Sequence, residues 1–493
     1  MLPEIMRICL ILSSTALTLM AAKYYVHMLQ LEGYFISQFL HHLFARIRNP
    51  KLLFKPAKTK KPLVYTQRII RLYVCLGILT LAYEICVCAL FASALTKALG
   101  FPASLLAVLP ILLVSLFVLL AALITKPVEK LISLWFVSDA KKILQERDDL
   151  TIVGITGSYG KTSTKFILST ILSEKYSVLT PPASYNTTLG VVRVIREQLQ
   201  PDHEIFICEM GSRHIGDIKE ICDFVHPHHA LITSIGPQHL DTFLSIEGVK
   251  KGKFELIEAI DKEKGCAVFA SSNEHISELY EKAQCKKLSA GFLEKDDLRA
   301  EDISVGCAGS VFTLVLPNGD KAECVTKLLG AHNISNILVA SAMAYALGLS
   351  AQEIARGISK IQPVEHRLQI VNQSPVTVID DAFNSSPNGA NAALDVLGRF
   401  VGRRIIVTPG FVELGADQDK YHFELGKKIK DNADVAILVG KKRTEKIKEG
   451  LEGFAGEIFV VDTLSDATQK LTEITFAGDV VLFENDLPDN YNE

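Results

Sequence analysis

TIVGITGSYGKTSTKFILSTILSEKY, from Thr151 to Tyr176, decides the reading of the fold. Thr151–Thr156 is a β-branched run of strand length, glycines follow at 157 and 160, and apolar residues then recur at helical spacing. A strand, a tight turn and a helix in this order make a phosphate loop. Its glycines let backbone N–H groups approach phosphate oxygens, and the helix N-terminus adds positive partial charge. Lys161 can reach the terminal phosphates, and Thr162 can offer a hydroxyl to Mg²⁺. The strict pattern G-x-x-x-x-G-K-[ST] fails, because Ile155 stands where it requires Gly. What is present is T-G-x-x-G-K-T, Thr156 to Thr162.

Downstream the α/β texture continues. EIFICEMG is an apolar strand ending at Glu209, and ALITSIGPQH is a second one leading to His239. Both would end on the same side of a parallel sheet as the phosphate loop, where open α/β sheets bind ligands, so Glu209 and His239 are candidates to hold Mg²⁺ with Thr162. Lys253 lies beside Lys250 and Lys251, and spacing alone does not choose among them. Asn333 and Asn336 follow Gly330, as an amide pair that reads a base edge or as a helix N-cap. After Pro363, VTVID, RIIVTPG, VAILVG, GEIFVVD and DVVLFEN alternate with helical stretches, which predicts a second doubly wound domain.

Upstream the character is different. Ser104 to Thr125 runs 22 residues without a charge, enough to cross a hydrocarbon core of ~30 Å. Leu72 to Leu95 is equally apolar except for Glu84, and Ile8 to Ala22 continues past Lys23. Three transmembrane helices are expected, the first having a cleaved signal peptide as its alternative. Glu84, an ionisable group inside a span, is a functional candidate by default or a partner of Arg71 or Lys97, with structural tuning preferred over transport. The loop before the second span carries Lys23, Arg46, Arg48, Lys51, Lys55, Lys58, Lys60, Lys61 and Arg68 against Glu32 alone. The positive-inside rule puts that loop, and everything after Thr125, in the cytoplasm, with the basic residues against anionic lipid.

The composition agrees. At ~150 residues per domain, 493 residues leave room for about three units. Lys+Arg 52 against Asp+Glu 55 gives a net charge of -3, which excludes a strongly basic nucleic-acid binder. A mean hydropathy of +0.25 reflects the aliphatic N-terminal runs. The 10 cysteines include no C-x-x-C pair and read as buried thiols of a reducing compartment. The expected architecture is a helical membrane region over 1–148, a central ATP-binding α/β domain over 149–363 and a Rossmann-like α/β domain over 364–493.

TGSYGKTS resembles the ATP loop of the Mur ligases, which join amino acids or peptides to cell-wall precursors. The later motifs follow in order to about Leu414. ASYNTTLGV is similar to the family's Asn-rich loop, which implies Asn186 as a substrate contact. CEMG resembles the acidic metal position, and QHLD its His-Leu-Asp/Glu. KGKFELIEAI resembles the segment whose lysine the family carbamylates, which selects Lys253. GAHNISN resembles the adenine-binding helix start, and VEHRLQIV the boundary arginine, Arg367. IDDAFNSSPN resembles Asp-Asp-x-Tyr-Asn-x-x-Pro, and GFVELG the stretch ending near Glu413. The last two are closest to the branch that adds D-alanyl-D-alanine.

The resemblance implies that Gly157, Ser158, Gly160, Lys161, Thr162, Ser163, Asn333, Asn336, Arg367 and Asp381 bind ATP. It implies metal ligation by Thr162, Glu209, His239 and carbamylated Lys253, with Lys161, Lys253 and His239 catalytic. The implied reaction is ATP-dependent amide bond formation on a muramoyl-peptide carboxylate through an acyl phosphate. The incoming amine would be a small amino acid or dipeptide. Three departures stand out. Phe383 replaces the tyrosine. Membrane spans occupy the place of a uridine-binding domain, so the acceptor is soluble or lipid-linked. FENDLPDNYNE replaces a basic C-terminal stretch. Making another amide polymer, such as poly-γ-glutamate, is the alternative enzyme reading. A regulator without catalysis is disfavoured by intact Lys161, Thr162, Glu209, His239 and Lys253, and a transporter by the lack of a repeat or broken-helix site.

Overall fold

The computed structural model describes residues 2–48, 62–92, 109–271, 273–383, 386–412 and 414–485. Most of the basic loop, Lys97, Glu413 and residues 486–493 of the acidic C-terminal stretch fall outside them. The chain divides into a helical unit ending at Trp135 and an α/β unit beginning at Phe136. The α/β unit starts before the expected boundary at 149 because Phe136, Val137, Ala140, Ile143 and Leu144 already pack on its core.

The helical unit comprises Leu2–Leu31, Ile36–Arg48, Gln67–Ala92, Leu109–Leu112 and the first part of Val114–Gln145. Its interior is a small apolar cluster around Val26, Leu29, Phe39, Leu72, Leu76 and Val118. Many large apolar side chains face outward instead, among them Ile78, Ile85, Leu116, Leu120 and Leu123. Among the described residues one helix, Gln67–Ala89, is long and apolar enough to cross a membrane, where three were expected. The run from Ser104 begins outside the described residues. Glu84 is fully buried and accepts a hydrogen bond from Ser14 Oγ at 2.7 Å. Arg71 is not its partner, being committed to Glu129 at 2.6 and 2.9 Å.

In the α/β unit the described residues form two sheets. The first has nine strands in the order β2-β3-β1-β4-β5-β6-β7-β8-β9. They are β1 (Thr151–Thr156), β2 (Val178–Leu179), β3 (Ile205–Glu209), β4 (His229–Ile232), β5 (Cys266–Ala270), β6 (Lys286–Gly291), β7 (Leu298–Gly306), β8 (Gly309–Val315) and β9 (Lys321–Thr326). Strands β1–β7 pair in parallel, and β7-β8-β9 continue as an antiparallel meander. Near-continuous burial of β1, β3 and β5 is what a parallel sheet covered on both faces requires. From β1 the chain crosses to the edge, returns to β3, then passes over β1 to β4. β1 is therefore the switch point, and the phosphate loop leaves its carboxyl end.

The second sheet has the order β10-β11-β15-β12-β13-β14. Its strands are β10 (Gln369–Asn372), β11 (Thr377–Asp381), β12 (Arg404–Thr408), β13 (Val435–Val439), β14 (Glu457–Val461) and β15 (Val480–Glu484). All pair in parallel except β10, which caps the edge beside β11 in antiparallel sense. Asp381 and Glu484 are register neighbours at the carboxyl ends of β11 and β15.

Candidate active site

The helix Lys161–Leu172 starts on the glycine turn, with Gly160 as its N-cap at φ 82°. A Cβ at Gly157 would fall 2.1 Å from Thr233 Oγ1 and 3.0 Å from Ser234 N, and one at Gly160 would fall 2.7 Å from the movable Asn336 Oδ1, where the positive φ is the stronger demand for glycine. The segment after β4 pins the loop. Ser158 N donates to Ser234 O at 2.9 Å, Ser158 Oγ to Gly236 O at 3.0 Å, and Tyr159 N to Ser234 Oγ at 2.7 Å. These bonds fix the loop's shape and spend the Ser158 and Tyr159 amides on Ser234, so phosphate contact falls to the first amides of the helix Lys161–Leu172. Ser163 follows, half-buried, in the first turn of the helix.

Lys161 folds back over the loop and donates to Gly157 O at 2.6 Å. Burial pulls its pKa down to about 8; Glu209 opposes this shift and Arg367 adds to it. Glu209 is 1 % exposed and ends β3, in register with Ile155 of β1. Thr162 Oγ1 lies 3.0 and 3.2 Å from its two oxygens, Asn186 Nδ2 donates to it at 3.3 Å, and Lys165 Nζ stands 3.4 Å away. A hydroxyl and a carboxylate beside a phosphate loop form the hard-oxygen set that suits Mg²⁺, whose remaining ligands come from phosphate and water. Thr162 and Glu209 fit that ion.

The other two expected ligands have different settings. Among the described residues no three His, Cys, Asp or Glu side chains gather into a metal-holding group. His239 adopts φ 51° as the N-cap of the short helix Leu240–Phe243. Lys253 lies on the helix Ile246–Ala259, is 1 % exposed, and donates to Ser212 Oγ at 2.9 Å, just beyond Glu209 in the chain. Burial, with Lys161 adding to it, holds its pKa well below the usual lysine value. Its neighbours are spent elsewhere: Lys250 pairs with Glu247 and Glu278, and Lys251 is exposed.

Asn333 and Asn336 open the helix Ala331–Ala346. Asn333 Nδ2 donates to Leu329 O at 2.9 Å and its Oδ1 accepts from Asn336 Nδ2 at 3.4 Å. Arg367 stacks 4.3 Å over the ring of Phe383, the residue that replaces the family pattern's tyrosine. Burial lowers the Arg367 pKa, and Asp381 and Glu209 act against that, which places its guanidinium in the field of the acidic position. Asp381 accepts from Leu368 N at 3.0 Å; burial raises its pKa to about 6 against the pull of Arg367.

Three further residues join the site without having been singled out in the sequence. Lys165 is fully buried, pairs with Glu209 and donates to Ala183 O at 2.8 Å. Its signal was the spacing from Lys161, which puts both lysines on one helix face. Tyr159 OH accepts from Asn388 Nδ2 at 2.7 Å, joining the phosphate loop to the helix Pro387–Leu397.

Two family models match the chain, "Mur ligase middle domain" over residues 155–344 and "Mur ligase, glutamate ligase domain" over 366–484. The UDP-N-acetylmuramoyl-tripeptide–D-alanyl-D-alanine ligase of Bacillus subtilis is 27% identical over 350 residues, covering 70% of this chain and 75% of that protein. The enzyme of the same name from Synechocystis is 30% identical over 319 residues, 64% of this chain and 67% of that protein. A crystal structure of MurF from Acinetobacter baumannii superposes with a TM-score of 0.66 at 28% identity, covering 72% of this chain and 77% of that one. MurF from Thermotoga maritima, solved in complex with ADP, shares the fold at a TM-score of 0.65 and 23% identity, covering 72% and 80%.

Proposed function

Because the chain belongs to the Mur ligase family, we propose that it is an ATP-dependent ligase of the MurF type, joining D-alanyl-D-alanine to a muramoyl-tripeptide carboxylate. The observation that carries this reading is the buried Glu209 at the mouth of the glycine loop, held by Thr162, Asn186 and Lys165. An acidic group so placed serves a cation and its polyphosphate better than it serves stability, since burying a charge is costly.

In this reading the substrate carboxylate attacks the γ-phosphorus and ADP leaves. The amine then attacks the acyl carbon, losing a proton, and phosphate leaves. Little covalent work falls to the protein, so positioning and charge neutralisation dominate. The loop and Lys161 are assigned to the phosphates, and Asn333 and Asn336, whose amides bond Leu329 O and each other, are assigned to the base edge. Arg367, braced by Phe383, faces the charge that builds on the transferred group. Mg²⁺, when bound, would supply Lewis-acid polarisation of the phosphate oxygens at Thr162 and Glu209. Lys253 is buried, and burial shifts it toward the neutral amine, the form that adds CO₂. Its carbamate, with His239, is the assigned second metal position. Asn186 is assigned to substrate through its place beside Glu209.

The helical unit is assigned to the cytoplasmic membrane, with the α/β unit in the cytoplasm. Its support is the Gln67–Ala89 helix, the outward apolar side chains and the basic loop. A lipid-linked acceptor is the second reading, and those same apolar helices, which precede the family match at residue 155, favour it.

ADP release by the full-length protein in detergent, with D-alanyl-D-alanine and either uridine-linked or lipid-linked muramoyl tripeptide, tests both readings. Dipeptide-dependent ADP release with either acceptor supports the ligase and names the acceptor. No release with either overturns it.

A further inference from the structure

The helical unit contains a cavity of about 400 Å³ that the ligase chemistry does not use. Its walls are of two kinds. Leu72 and Phe35 supply an apolar side, and Arg68, Lys126 and Glu129 a charged rim. Three elements bring these groups to one end of the bundle. The turn after Leu2–Leu31 supplies Tyr34 and Phe35, the first turn of Gln67–Ala92 supplies Arg68, and Lys126 follows immediately on the apolar run that ends at Thr125. Gln30 locks the first two together, its amide bonding Val64 O at 2.8 Å and Val64 N at 3.0 Å.

The charges at this rim do not cancel. Both oxygens of Glu129 are taken by Arg71, at 2.6 and 2.9 Å. Arg68 Nε is 4.0 Å from Glu129, and its guanidinium instead lies 3.7 Å over the Tyr34 ring. Lys126 has no ion-pair partner among the described residues. Three cations, Arg68, Arg71 and Lys126, thus share the single carboxylate of Glu129 beside an apolar hollow, an excess of positive charge. A guanidinium fork is shaped for phosphate oxygens, and an aromatic face under it fixes its plane.

We propose that this cavity is a binding site for a lipid phosphate, with the phosphate on Arg68 and Lys126 and the proximal acyl or prenyl chain along Leu72 and Phe35. The inference rests on the membrane placement of the helical unit and is independent of the reaction assigned to the α/β unit. The ligand comes either from bulk anionic phospholipid or from a polyprenyl phosphate, the class of carrier a lipid-linked acceptor would have.

The test uses full-length protein in phosphatidylcholine nanodiscs, with polyprenyl monophosphate, phosphatidylglycerol or inorganic phosphate added in turn and retention read by native mass spectrometry. Retention of the prenyl lipid over phosphatidylglycerol names the carrier as ligand; equal retention names bulk lipid. Arg68→Gln is expected to weaken retention about fivefold, and the double variant with Lys126→Gln about twentyfold, from the usual contribution of a basic residue at a membrane surface. Ala122→Phe, which fills the hollow and keeps every charge, is expected to weaken it as well. The lipid-free melting point of each variant reports whether it folds. Retention unchanged in the double variant and in Ala122→Phe, or binding of inorganic phosphate without either lipid, overturns the proposal. A protein that fails to enter nanodiscs at all would instead overturn the membrane placement.

Discussion

Asn336 stands over Gly160 so closely that a Cβ there would meet its Oδ1 at 2.7 Å. The helix start assigned to the base and the turn assigned to the phosphates therefore touch, and one substitution disturbs both. Gly160 also has φ 82°. Gly160→Ala is expected to lower ATP affinity tenfold or more in a calorimetric titration. Asn336→Ala in the same chain relieves the collision and leaves the backbone strain of about 1 kcal/mol, so rescue should be partial. Full ATP affinity in Gly160→Ala alone would remove the loop from the site.

Lys161, with its pKa drawn down to about 8, is part-neutral in the free protein at that pH. A bound polyphosphate favours the ammonium. ATP binding at pH 8 is therefore expected to take up a fraction of a proton, seen as a dependence of the binding enthalpy on the buffer's ionisation enthalpy. The uptake should vanish near pH 6, where the amine is already charged. Equal enthalpies in all buffers at pH 8 would contradict the placement of Lys161 on phosphate.

Lys253 has its pKa depressed by burial. Between that depressed value and 10.5 the unfolded chain binds the extra proton, so the folded state gains stability as pH rises through the window. Lys253→Met should flatten this dependence and raise the melting point at pH 7 while reducing turnover a hundredfold or more. Added bicarbonate should stimulate the parent protein and leave the variant unchanged.

Asp381, with its pKa raised to about 6, works in the opposite sense. The folded state holds the proton longer than the unfolded one, so stability falls as pH climbs from about 3.9 to 6. If Arg367 needs the carboxylate, kcat/KM should rise across pH 6. Asp381→Asn is expected to abolish that acid limb and to gain stability relative to the parent above pH 6. An acid limb that persists in the variant would assign it to another group.

The phosphate loop was legible because all its parts are local: strand, glycines, lysine and helix follow one another within Thr151–Leu172. Glu209 and Thr162 were expected to meet, since strand ends converge at a switch point, and they do. Choosing Lys253 over Lys250 and Lys251 was not a matter of spacing. Partners make the distinction, since Lys250 is also buried but is paired with Glu247 and Glu278, whereas Lys253 meets only the Ser212 hydroxyl by hydrogen bond. Lys165 takes its partner, the Glu209 carboxylate, from a strand distant in sequence, which local spacing does not reveal. The pairing of Arg71 with Glu129, which leaves Glu84 to Ser14, depends on how three helices rotate against one another, and apolar runs do not specify that.

The bond from Asn388 to the hydroxyl of Tyr159 ties the second sheet's domain to the loop itself. A neutral hydrogen bond of this kind has a net worth of about 1 kcal/mol, which biases an equilibrium about fivefold and no further. It is one light tie among several: Arg399 Nη1 also reaches Val305 O at 3.5 Å and Cys307 Sγ lies 3.5 Å from Arg399 O, so the terminal domain meets the central one through bonds that are each worth little. Tyr159→Phe would thus remove the one tie that sits on the phosphate loop and leave the others in place, so the terminal domain keeps its seat while the loop loses a brace.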